Sequence, residues 1–233
     1  MKFTIAPEVF EKHPDLAIGV IVAKGLDNTR SAPEITEMLR SEEKGVCNKM
    51  DADTFKEHPA LAALQEVHRG FGSNPNKFPP SIQALIKRVL KGGQLPTISP
   101  LVDLYNVISL RHVICAGAED TDSCDGDVRL AYADGDEAFL PLGGEENDPP
   151  AEGELVYKDD LGVICRKLNW REGDRSKITD STKNAIIILE GFPPMALSEL
   201  LIALNELSEL IQQYCGGALG VQVLTKESAE CEI

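Results

Sequence analysis

Residues 165–191 read CRKLNWREGDRSKITDSTKNAIIILEG, with polar and charged groups crowded into one loop between two apolar strands. The loop holds carboxylates at Glu172, Asp174 and Asp180 and cations at Arg171, Arg175 and Lys177. Asn169, the only Trp (Trp170) and Thr179 stand beside them. Loops held between core strands commonly carry sites. A carboxylate among cations stays ionised and can orient a water or accept its proton. The cations can hold a phosphate or a substrate carboxylate. The same composition also describes a surface cluster of salt bridges. A second segment, SPLVDLYNVISL at 99–110, places Asp103 and Asn106 three residues apart, on one face of an otherwise apolar helix. Buried polar groups need partners, so this pair anchors a neighbouring loop or orients a binding loop.

Other chemistries leave no trace. There is no G-x-S-x-G elbow, Walker loop or H-E-x-x-H, and GGALG precedes a strand, not a helix. The S-x-x-K at 41–44 falls in a charged helix and reads as chance. His13, His58, His68 and His112 share no metal-ligand spacing, and His112, near the end of an apolar helix, reads as a hydrogen-bonded structural residue. The six cysteines form no C-x-x-C pair and read as reduced, inert thiols. No metal and no cofactor are expected.

Net charge is −15 over 233 residues, concentrated in the segment 119–160, where fifteen acids face only Arg129 and Lys158. Residues 166–183 reverse the balance, with six bases against Glu172, Asp174 and Asp180. So acidic a chain is no strong general nucleic-acid binder, although the small basic face could hold one RNA end weakly. DNA and membrane partners are not expected. No apolar run reaches membrane-spanning length, the start lacks a signal-peptide h-region, and a cytoplasmic location is the expectation.

The elements that must position these residues follow from periodicity. Strands are predicted at 2–6, 16–24, 128–133, 154–157, 162–167, 184–190 and 219–224. Helices are predicted at 33–44, within 52–67 with Pro59 breaking or starting one, at 80–91, at 100–110 with Ser99 as N-cap, and at 195–214. A turn-rich joint lies at 71–80. Helices, then strands, then a helix argue an α+β fold with a mixed sheet.

At its two informative segments the sequence resembles the B3/B4 domain of the phenylalanyl-tRNA synthetase beta subunit. The synthetase helix N-P-V-V-D-x-T-N is matched by SPLVDLYN at Pro100, Val102, Asp103 and Asn106. D-L-V-I-A-D-D-x-G is matched by ELVYKDDLG at 154–162, and G-G-E-x-S-x-V-T-D-E-T-x-N-V-L-L-E by GDRSKITDSTKNAIIILE at 173–190. The match runs over about 78–191, and the whole chain resembles freestanding proteins that carry this domain. The resemblance implies a mixed β-sheet or barrel-like core with packed helices. It makes 71–233 the B3/B4-like domain, with 1–70 as strands and helices of the same compact unit.

The resemblance further implies tRNA editing: hydrolysis, in trans, of the ester between a wrong amino acid and the tRNA end. It implies a water positioned in a selective pocket, no covalent nucleophile and no ligase core. The family's loop glutamate falls on Asp174 counting from the shared T-D-x-T-x-N, or on Glu172 counting from the preceding strand. Either would orient the water. Arg171, Arg175 and Lys177 would hold the terminal phosphate or ribose, and Asn169, Trp170 and Thr179 would shape the amino-acid pocket. The family's P-x-H-A-F-D segment places its histidine on Gly117 and its aspartate on Asp120, where this chain reads CAGAED. A rival from another class is a non-catalytic module binding a free amino acid, RNA or a protein partner.

Overall fold

The computed structural model describes residues 1–29 and 32–233. Among the described residues ten strands form two sheets. They are β1 (Lys2–Ile5), β2 (Ala17–Lys24), β3 (Cys115–Asp120), β4 (Val128–Tyr132), β5 (Leu155–Lys158), β6 (Val163–Arg166), β7 (Arg171–Glu172), β8 (Asn184–Gly191), β9 (Ala218–Leu224) and β10 (Glu230–Glu232). The six-stranded sheet runs β10-β1-β4-β5-β6-β7 and is mixed, because β1 and β4 are parallel. The four-stranded sheet, β3-β8-β2-β9, is antiparallel throughout. Six α-helices accompany them: α1 (Pro7–Lys12), α2 (Pro33–Lys49), α3 (Pro59–Gly70), α4 (Ser81–Leu90), α5 (Pro100–His112) and α6 (Leu197–Tyr214). The fold is therefore α+β with a mixed sheet, as expected. Both sheets are open, so the barrel-like alternative does not hold.

Period-two alternation explains how one sheet serves two cores. On β2 and β8, Ile18, Val20, Val22, Ile186 and Ile188 face the larger sheet and join Phe3, Ile5, Leu130 and Leu155 in one cluster. The alternate residues Ile21, Ala23, Ala185, Ile187 and Leu189 face α5 and α6, against Leu104, Ile108, Leu200, Leu204 and Leu207. A strand covered on both faces reads as a continuous apolar run, which AIGVIVAK is. Gly19 lies on the α6 side, and a Cβ there would sit 3.0 Å from Leu204 Cδ1 and 3.4 Å from Leu200 Cδ1. Gly19→Val is expected to push α6 off the sheet, costing about 1–3 kcal/mol. A lowered urea midpoint would register that loss, and an unchanged one would refute it.

Four elements escaped the periodicity: α1, β3, β7 and β10. β3 is CAGAED, poor in the β-branched and aromatic residues that mark strands. It is a strand because β8 offers it a complete antiparallel partner, from Cys115↔Glu190 to Asp120↔Ala185. The cap of α5 also differs from expectation. Ser99 makes no side-chain cap bond. Asn28 does the capping from a distant segment: its Oδ1 accepts from Leu101 N at 2.9 Å, and its Nδ2 donates to Ser99 Oγ at 3.2 Å and Thr179 O at 2.8 Å. One side chain thus ties β2's following loop, the start of α5 and the 179–182 turn together.

Candidate functional site

The two sheets meet over a row of polar residues. On the larger sheet Tyr157 pairs with Cys165, and Cys165 with Glu172, across β5, β6 and β7. On the smaller sheet Cys115 pairs with Glu190 and Gly117 with Ile188 across β3 and β8. Alternation places Cys115, Gly117 and Glu119 on one face of β3. Between these rows lies a cavity of about 50 Å³, completed by Ser81, Leu168 and Asn169. Gly117 forms its bare floor: a Cβ there would already touch Glu172 Oε1, at 3.4 Å, so any longer side chain would fill the space.

Three glutamates with different roles line this cavity. Glu190 is satisfied: Tyr157 OH donates to its Oε1 at 2.9 Å, and Asn169 Nδ2 donates to its Oε2. Burial raises Glu190 to about 7 against those two bonds. Glu119 is 5% exposed, and its Oε2 has no hydrogen-bond partner in the protein. Burial, then the adjacent Glu172 carboxylate, push it well above the usual range; the Ser176 hydroxyl and Arg175 oppose the rise. Burial also raises Glu172. Two buried carboxyls side by side cannot both ionise cheaply, so the pair holds a proton more tightly than a free carboxyl does. The thiols are inert. Burial lifts Cys115 to about 12 and pushes Cys165 well above the usual thiol range, so neither supplies a thiolate nucleophile.

Glu190 also gives the cavity a signature in stability. Its folded pKa near 7 exceeds the ordinary 4.5. The folded state therefore holds a proton that the unfolded state has released. Stability falls as pH rises from about 4.5 to 7, by up to about 3 kcal/mol, and levels off above. Glu190→Gln is expected to remove that component. Melting temperatures of both proteins at pH 5, 6, 7 and 8 would show it as a native-minus-variant difference that shrinks as pH rises. A difference independent of pH would contradict the assignment.

The loop residues read from sequence scatter around this cavity. Glu172 and Asn169 line it. Asp174 lies outside, paired with Lys177 at 2.8 Å and accepting from Gly143 N at 3.2 Å. Arg175 is held by both oxygens of Asp159, at 2.7 Å each, and by Ser123 O. Arg171 is exposed and donates to Leu142 O at 2.8 Å. Trp170 packs edge-on against Phe78, ring centres 4.6 Å apart. Thr179 belongs to a turn closed by Thr182 Oγ1, and Asp120 accepts from that hydroxyl at 2.7 Å. Asp103 Oδ1 accepts from Ile98 N at 2.9 Å, fastening the loop before α5, and Asn106 is buried one turn further on. Glu119, Glu190, Tyr157, Cys115 and Cys165 complete the site and were not singled out in the sequence.

A larger groove, about 690 Å³, lies between α2, α5 and α6. Within it Arg111 pairs with Glu42 and with the nearby Glu206, and His112 Nε2 lies 2.7 Å from Glu206. His112 is thus a structural residue, and the carboxylate cavity remains the better candidate. Among the described residues no His, Cys, Asp or Glu group is arranged to hold a metal. No described helix is long and apolar enough to cross a membrane.

The family model of the B3/4 domain matches residues 63–216. The chain belongs to the B3/4 domain family. The match includes α4, α5, all strands from β3 to β8, and α6, and so holds every residue of the cavity. Among solved structures, this B3/4 protein is similar to an N-terminal fragment of the phenylalanyl-tRNA synthetase beta subunit from Pyrococcus horikoshii. The TM-score is 0.47 at 13% identity, covering 95% of this chain and 49% of that one. The chain thus spans about half the length of that fragment. No curated protein matches it.

Proposed function

We propose that this B3/4 protein binds the aminoacyl end of a tRNA and hydrolyses the ester of a mischarged amino acid. The observation that carries the reading is the Glu119–Glu172 pair, in a cavity walled by unreactive thiols and left unfilled by the bare Gly117. Glu172 orients a water and takes its proton as the oxygen attacks the ester carbonyl carbon. The bond from that carbon to the ribose oxygen then breaks, and the departing oxygen takes a proton back. Asn169 fixes the cavity wall, Trp170 backs it, and Arg171 is the cation best exposed for a phosphate. Asp103, Asp120 and Thr179 hold the surrounding turns in place.

Purified protein incubated with a panel of correctly and incorrectly charged tRNAs is expected to deacylate a subset. No hydrolysis across a complete panel would remove the reading. One observation favours a second reading, a binding module for a free amino acid: Arg175 and Lys177 are already neutralised by Asp159 and Asp174. Salt separates the two. Affinity for tRNA should fall steeply with ionic strength, whereas that for a small neutral amino acid should hardly change.

A further inference from the structure

We infer that the cavity takes a protonated primary amine, with Glu119 as the subsite for the free ammonium group of the ligand. The inference rests on the reading of this cavity as the ligand site and names what enters it. Glu119 is buried and lines the cavity, and apart from its contact with the Glu172 carboxyl its Oε2 meets no protein donor within hydrogen-bond distance. A buried polar atom in that state calls for a partner, and a ligand's donor can supply one. Glu190 is the less available group, because Tyr157 already donates to one of its oxygens and Asn169 to the other. The lining includes three carboxyl side chains and no Lys, Arg or His. Arg175 is the cation acting on Glu119, and it is committed to Asp159.

These facts select the ligand by charge. A carboxylate or phosphate would find no cation and would be repelled. A methyl group would leave Glu119 Oε2 unsatisfied. An ammonium group brings three donors and the compensating charge. Size agrees: 50 Å³ holds a few atoms beyond a single water, enough for an ammonium and the carbon that carries it. The entering charge also displaces the proton that Glu119 and Glu172 retain, leaving Glu172 ionised as the base. A free amine on the substrate thereby prepares its own hydrolysis, and an N-blocked aminoacyl group does not.

The test uses the full chain and amino-acid amides, each paired with its N-acetyl form: alaninamide, serinamide and phenylalaninamide. Isothermal titration calorimetry is expected to show at least one free amine binding tenfold or more tightly than its N-acetyl counterpart. Glu119→Gln should abolish that preference, so that free and N-acetyl forms bind alike. A second readout needs no variant: titrations in buffers of different ionisation enthalpy should show proton release on binding. Equal binding of free and acetylated forms, or no binding of any amide, would overturn the inference. Failure of the two proposals is distinguishable. Amine-selective binding without deacylation of any charged tRNA would uphold the subsite and sink the hydrolase. Hydrolysis of N-acetyl-aminoacyl-tRNA as fast as of the free form would sink the subsite and uphold the hydrolase.

Discussion

Glu172→Gln is expected to slow deacylation by about 10²–10⁴-fold, the range of a lost general base, while the fold persists. The substitution keeps the size of the side chain and removes only the capacity to take a proton. Folding should tolerate it, because burial already makes Glu172 costly to ionise in the resting protein. The companion variant Asp174→Asn separates the two carboxylates that the loop sequence left open. Asp174 is partly exposed, outside the cavity, and its carboxylate is held below the usual range by Lys177 and by Gly143 N. It is expected to retain deacylation within a small factor. Single-turnover hydrolysis of a charged tRNA identified in the panel would compare the three proteins. Equal losses in both variants, or no loss in Glu172→Gln, would remove Glu172 from its assigned role.

That separation shows what a sequence reading can and cannot reach. The strands and helices that were legible are those whose apolar residues recur at a period, such as the NAIIILE run of β8 and the Leu-rich face of α6. β3 was not legible because its residues are ordinary in a loop, and only its pairing with β8 makes them a strand. The same pairing hid the site. Glu119 opens the acidic stretch 119–160, which reads as solvated surface, yet the strand register turns it inward beside Glu172. Glu190 reads as the polar end of a buried strand. Asn169 and Glu172 were within reach because a loop rich in charge between two apolar strands stands out by composition. Which of its carboxylates points inward depends on β7, whose two residues are too few to show any alternation. The cap on α5 was out of reach for a related reason, since Asn28 comes from a segment more than seventy residues away.

Glu154→Ala is expected to cost about 3–5 kcal/mol, the usual loss when one partner of a buried ion pair is removed. Glu154 is 2% exposed. It accepts from Arg166 Nε at 2.8 Å and Nη2 at 2.9 Å, from Lys167 Nζ at 2.5 Å, and from the Lys167 backbone N–H at 3.1 Å. Burial works to raise its pKa, but Arg166 and Lys167 outweigh it and hold the carboxyl below the usual range. The pair therefore contributes stability above the ordinary carboxylate pKa, and that stability is lost as pH falls through the lower folded value. Without Glu154, Arg166 keeps only Asp148 at the surface, at 2.7 Å, and Lys167 is left without a carboxylate partner. The damage reaches the site through the backbone. Lys167 and Leu168 hold the left-handed conformation, at φ 49° and 63°, in the turn that aims Asn169 at Glu190. Urea unfolding at pH 7 would measure the loss, with Glu230→Ala as control, because its pair with Lys2 is exposed and should shift the midpoint little. A Glu154→Ala protein as stable as the parent would mean that the network is dispensable and that something else holds the turn. In the expected case the variant unfolds early and, while still folded, loses order at Asn169 before the distant face of α6 is affected.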